Sequence, residues 1–97
     1  MPKGYWIANN IVHDADEYAR YKAANGAVFA RHGARFIVRG GTQEAREGDP
    51  FPRSVVIEFP SYAQALACYE DPDYQAAKAI REPASQTRLV IVEGYDG

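Results

Sequence analysis

The chain has one cysteine, two histidines and no hydrophobic run longer than four to five residues, such as Leu89 to Val92. A lone thiol at Cys68 excludes an intramolecular disulfide framework. His13 and His32 show no paired metal-ligand spacing, so no metal site is expected. The short apolar runs fall well below the ~20 residues of a membrane-spanning helix. An excess of positive charge is also missing. Eleven Lys and Arg against thirteen Asp and Glu give a net charge of −2 and a pI near 5.6. No sequence-wide field attracts phosphates or anionic lipid, which argues against nucleic-acid and membrane partners. The start Met1-Pro2-Lys3-Gly4-Tyr5 lacks the apolar core of a secretory leader, and a cytoplasmic location is expected.

What is present is the composition of a folded protein: 46% hydrophobic and 25% charged residues in 97 positions, enough for one domain over residues 1–97. Tyr5 to Val12, rich in aromatic and branched side chains, reads as a first strand. Asp14 with Glu17 three residues on forms a capping box, and Tyr18, Tyr21, Asn25, Val28, Phe29 and His32 recur at helical spacing up to Gly33. Arg35 to Gly40 is a second strand, with a bulge or bend expected at Gly40-Gly41 before a polar continuation through Glu47. Arg53 to Phe59 is a third strand, and Ser61 with Gln64 opens a second helix. Asp71-Pro72 interrupts and restarts that helix, Pro83 ends it, and Thr87 to Glu93 is the last strand.

The order β-α-β-β-α-β with right-handed crossovers gives an α+β, ferredoxin-like fold: a four-stranded antiparallel sheet, order 4-1-3-2, with its helices on one face. Strand alternation divides the side chains into two sets. Trp6, Ala8, Phe36, Val38, Val90 and Val92, with Val55, Ile57 and Phe59, are assigned to the helix-covered face; Asn10 is the polar exception. Tyr5, Ile7, Ile37, Val56, Leu89 and Ile91 are assigned to the open face. That face is also apolar and needs cover, which a second copy of the sheet supplies most economically. The expected partner is therefore the chain itself.

Candidate ligand-binding residues follow from the polar members of the open face: Tyr5, Asn9, Arg39, Glu58 and Glu93. A hairpin centred at Gly48-Asp49 places Arg39 opposite Glu58. A structural cross-strand ion pair is the default account of these two. In an enclosed site the arginine would instead hold an anionic substrate and the glutamate would serve as a base. His13 and His32 read as structural, Cys68 as a buried inert thiol, and the tyrosines at 18, 21, 62, 69 and 74 as core packing. Gly40-Gly41 lacks the lysine and hydroxyl residue of a phosphate loop, and no organic cofactor is expected. Arg53 to Phe59 lacks the basic, aromatic pattern of RNA-binding members of this fold.

Gly4-Tyr5-Trp6-Ile7-Ala8, Gly33-Ala34-Arg35-Phe36, Val38-Arg39-Gly40-Gly41, Val55 to Ser61, Tyr74 to Lys78 and Val92 to Tyr95 together resemble the bacterial domain-of-unknown-function family 1330 of the dimeric α/β-barrel superfamily. The resemblance implies a ferredoxin-like fold and a barrel-forming homodimer, and carries no catalytic residues. Two functions stand open: a protein that binds or transforms a small organic molecule without a bound organic cofactor, or a structural or interaction dimer with no small-molecule ligand.

Overall fold

In the computed structural model, which describes residues 2–96, the first strand β1 runs Gly4–Val12 and lies at the sheet centre between β3 (Arg53–Phe59) and β4 (Ser85–Glu93). β2 (Arg35–Arg39) flanks β3, so the order is β2-β3-β1-β4, all neighbours antiparallel. This is the ferredoxin-like order expected from the sequence. Helix α1 (Ala15–Arg31) joins β1 to β2, and α2 (Tyr62–Glu70) and α3 (Pro72–Arg81) join β3 to β4 through a 3-10 turn at Glu82–Ala84.

The local signals act as expected. The Asp14 carboxylate accepts from Glu17 N, the Ser61 hydroxyl from Gln64 N and the Asp71 carboxylate from Asp73 N, each satisfying a backbone donor that the helix leaves free. Gly33, at φ +71°, turns the chain out of α1, a conformation that costs a side-chain-bearing residue more. Trp6 forms the centre of the core. Its ring packs edge-on against Phe29 and Tyr74, and its indole N–H donates to Ala65 O at 2.9 Å. Cys68 and Tyr74 are fully buried beside it, and burial pushes the Cys68 thiol up to about 12, so the thiol stays protonated and inert.

Two strand assignments require correction. Gly40, at φ +70°, makes the expected bend, but the bulge in β2 lies between Phe36 and Val38: Phe36 pairs with Ile57, Val38 with Val56 and Arg39 with Val55. The extra residue reverses parity, so Val38 joins the open face and Arg39 the helix-covered face. In β4, Val90 pairs with Ile7 and Leu89 with Ala8, which turns Leu89 and Ile91 toward the core and leaves Val90 58% and Val92 42% exposed. A run of four apolar residues has no alternation to reveal its parity, and one residue of slip exchanges the faces. The open face remains apolar after both corrections, with Ile7, Ile37, Val38, Val90 and Val92 all substantially exposed.

Candidate functional site

α1 does not seal onto the sheet along its whole length. Its first half faces residues that are polar or small on the covered side: Ala8 and Asn10 of β1, Arg53 of β3 and Thr87 of β4. Between them lies a cavity of about 40 Å³, part of about 490 Å³ of unfilled space that reaches solvent. Tyr18, Tyr21, Asn25 and Phe29 of α1 roof it, and Trp6, Phe36 and Leu89 add apolar wall. Lys22 and Arg39 are exposed and mark its mouth. Arg81 of α3 lines this cleft and also a second, more open groove of about 440 Å³ along α3 and β4.

The polar groups of the cleft are incompletely satisfied. Asn10 Nδ2 donates to the Tyr18 hydroxyl at 2.9 Å and Arg53 donates to the same oxygen at 3.0 Å. The Tyr21 and Tyr74 hydroxyls share a hydrogen bond at 3.1 Å. Asn10 is 2% exposed, Asn25 3% and Arg81 7%, yet Asn10 Oδ1, Asn25 Oδ1 and Arg81 Nε have no partner. Each such group costs about 1–3 kcal/mol when buried, and more for a charged one, so three around one cavity are a concentrated strain.

The charges are equally uneven. Six of the eleven Lys and Arg pair with a carboxylate among the described residues: Lys3, Arg20, Arg31, Arg35, Arg46 and Lys78. Of the other five, Lys22, Arg39, Arg53 and Arg81 all line this cleft, and no Asp or Glu does. Arg39 lies over the Phe36 ring at 4.0 Å and Arg53 over the Tyr18 ring at 5.4 Å, contacts that orient the cations without neutralising them. Burial raises the Tyr21 and Tyr74 hydroxyls above the usual phenol value, so both are neutral at physiological pH. Among the described residues the cleft thus offers cations, amide oxygens and hydroxyls, but no carboxylate, imidazole or thiol that could take up a proton.

The model of one protein family, described as a domain of unknown function (DUF1330), matches residues 3–95. The chain belongs to this family. No curated protein matches it. The DUF1330 fold is shared with a protein of unknown function from Rhodopseudomonas palustris, at 21% identity over 99% of this chain and 85% of that one, TM-score 0.78. A cofactor-independent oxygenase from Streptomyces nogalater is similar at 16% identity over 100% of this chain and 97% of that one, TM-score 0.64. A dimeric ferredoxin-like protein of unknown function from Thermobifida fusca is similar at 20% identity, 95% and 91% coverage and TM-score 0.60.

The five residues singled out from the sequence do not form one site in this DUF1330 chain. Tyr5, Asn9 and Glu58 lie on the open face, as expected. Arg39 does not pair with Glu58, because the β2 bulge carries it to the cleft on the opposite side of the sheet. Glu58 is opposite Arg35 instead, with Arg35 at 3.8 Å and Lys3 at 3.2 Å. Glu93 pairs across from Gly4, one residue out of step with Tyr5, and is not on that face. Asn9 donates to Ser54 Oγ at 2.7 Å, and that hydroxyl donates to Gln43 Oε1 at 2.6 Å, tethering the segment that follows β2. The residues missed were Asn10, Asn25, Arg53 and Arg81. Asn10 and Asn25 were visible as amides at inward-facing positions; Arg53 and Arg81 carried no signal that set them apart from surface arginines.

His32 packs at the end of α1, its Nε2 2.9 Å from Asp71 Oδ2 and its Nδ1 2.7 Å from Gln64 Nε2, which ties α1 to the α2–α3 junction. With Arg31 on the same carboxylate, these bonds hold Asp71 well below the usual carboxylate range. His13 is exposed. No cluster of three or more His, Cys, Asp or Glu suited to a metal ion exists among the described residues, and none of their helices is long and apolar enough to cross a membrane.

Proposed function

We propose that this protein is a homodimer that binds a small organic molecule in the cleft between α1 and the sheet, without a bound organic cofactor. The observation that carries this reading is that the three residues with a buried, unpartnered polar atom among the described residues, Asn10, Asn25 and Arg81, all line one cavity, so a rotation of each side chain would turn that atom toward a guest. A purely structural dimer gains nothing from them, whereas a polar-tipped ligand in an apolar pocket would satisfy them. A cofactor-independent oxygenase with the same fold supports a catalytic use of such a cleft as analogy only. The cytoplasm, where the lone Cys68 stays reduced, completes the proposal.

The dimer rests on the open face. Ile7, Val38, Val90 and Val92 make it too apolar to stand in water, and a two-fold copy of the same sheet covers it with matching surface. The dimeric Thermobifida fusca protein of this fold is consistent with it. A metabolite screen by thermal shift tests the ligand, with each hit repeated on Asn25→Leu and on Ala8→Phe, which fills the cleft. Hits that survive both substitutions would place the ligand elsewhere and defeat the reading.

A further inference from the structure

Resting on the cleft as the ligand site, we infer that its ligand is an organic acid carrying a hydroxyl or N–H donor beside the acid group. The charge follows from the lining. Lys22, Arg39, Arg53 and Arg81 reach the cleft from four different elements, and no carboxylate balances them. Lys22 and Arg39 are solvated at the mouth, but the half-buried Arg53 and the buried Arg81 repel inside the cleft, and a neutral guest would leave that repulsion in place. An anion relieves it. Arg81 is the buried member of the set and has an unused Nε, so it is the cation that the acid group meets inside.

The donor follows from the amides. Asn10 Oδ1 and Asn25 Oδ1 are acceptors, and a bare carboxylate beside them would bring electron-rich oxygens together. A hydroxyl or N–H next to the acid gives them a proton to accept. The Tyr18 oxygen already accepts from Asn10 and Arg53, so its own hydrogen remains for the guest. Size agrees. The cavity of about 40 Å³ has room for about three water-sized positions, which suits a carboxylate and an adjoining hydroxyl. The rest of the molecule extends along Phe36 and Tyr18 toward the mouth at Lys22 and Arg39.

Three matched probes separate these elements: mandelate (acid and hydroxyl), phenylacetate (acid alone) and mandelamide (hydroxyl, neutral). Titration calorimetry on the wild-type protein, up to about 10 mM to detect a millimolar site, should show mandelate binding. Mandelamide should bind about tenfold or more weakly, the loss of one charge-assisted hydrogen bond, and phenylacetate about three- to tenfold more weakly, the loss of a neutral one. Arg81→Gln should abolish the preference for mandelate over mandelamide, and Asn25→Leu the preference over phenylacetate. If Arg81→Gln does not fold, Arg53→Gln reads the same charge at the cleft. Equal affinity for mandelamide, with both ligands excluded by Ala8→Phe, would overturn the acid class while leaving the cleft as the site. Equal affinity for phenylacetate would overturn the donor. Mandelate binding that Ala8→Phe and Asn25→Leu leave unchanged would instead defeat the cleft itself, and no binding by any probe would overturn the inference.

Discussion

Asn25→Leu should stabilise the protein while impairing its pocket. Asn25 sits in the middle of α1, 3% exposed, with its carbonyl oxygen unpartnered. Removing a buried acceptor without a partner recovers about 1–3 kcal/mol of desolvation cost. Leucine also exceeds asparagine in helix propensity by about half a kcal/mol. Against this stands the loss of the polar contact by which Asn25 lowers the pKa of the Tyr21 hydroxyl, worth at most about 1 kcal/mol. The added bulk is absorbed by the adjoining cavity, so overpacking is small. The net is a gain of about 1–2 kcal/mol, a rise in Tm of roughly 5–15 °C for a domain of this size. Urea and thermal unfolding followed by circular dichroism measure it. A fall in stability of 1 kcal/mol or more would mean that Asn25 is fully satisfied in the free protein and holds no free acceptor for a ligand.

Other expected outcomes concern the sheet faces and the caps. Val90→Asp should shift the protein toward the 10.8 kDa monomer in size-exclusion light scattering, since it sets an unpaired charge in the proposed interface; a wild-type monomer at micromolar concentration would refute the dimer. Ile91→Asp should unfold the chain instead, because Ile91, assigned from the sequence to the open face, packs on the core. Gly4→Ala should cost about 1–3 kcal/mol, as a Cβ there would meet Ser61 O at 2.5 Å and Tyr62 Cα at 2.7 Å, both backbone; an unchanged urea midpoint would contradict that packing. Asp71 has a folded pKa below its unfolded value of about 3.9, so its contribution is fully present above that value and is lost as pH falls below it. Asp71→Asn keeps the helix cap but loses the ion pairs, and its deficit in Tm relative to wild type should shrink as pH falls from about 5 toward 2. A deficit independent of pH would show that the charge is not what matters.

The element order was legible because each boundary carries its own chemistry: Asp14 with Glu17, Gly33, Ser61 with Gln64, and Asp71-Pro72 all act locally and need no tertiary context. Faces were legible only where apolar and polar residues alternate. In β1, Trp6, Ala8 and Asn10 against Tyr5, Ile7 and Asn9 gave the correct split. In β4 the run Leu89 to Val92 satisfies either face, and its parity is decided by pairing with β1. In β2 the bulge at Ile37 has no glycine to mark it; the Gly40-Gly41 pair drew the expectation because glycine is the usual sign of a bulge.

That single bulge is also why the candidate site moved from one side of the sheet to the other. Without it, Arg39 would stand on the open face, where Glu58 already has Lys3 and Arg35, and a third cation would add little. With it, Arg39 lies over Phe36 at the mouth of a cleft that holds no carboxylate at all. The insertion of one residue thus moves Arg39 away from the face where Glu58 is already matched by Lys3 and Arg35 and adds it to Lys22, Arg53 and Arg81, which have no carboxylate beside them. A ligand site that was expected at the dimer seam is therefore better placed within each protomer. There, a guest would be held by α1 and the sheet of one chain, and dimer formation would stabilise the sheet without having to complete the pocket.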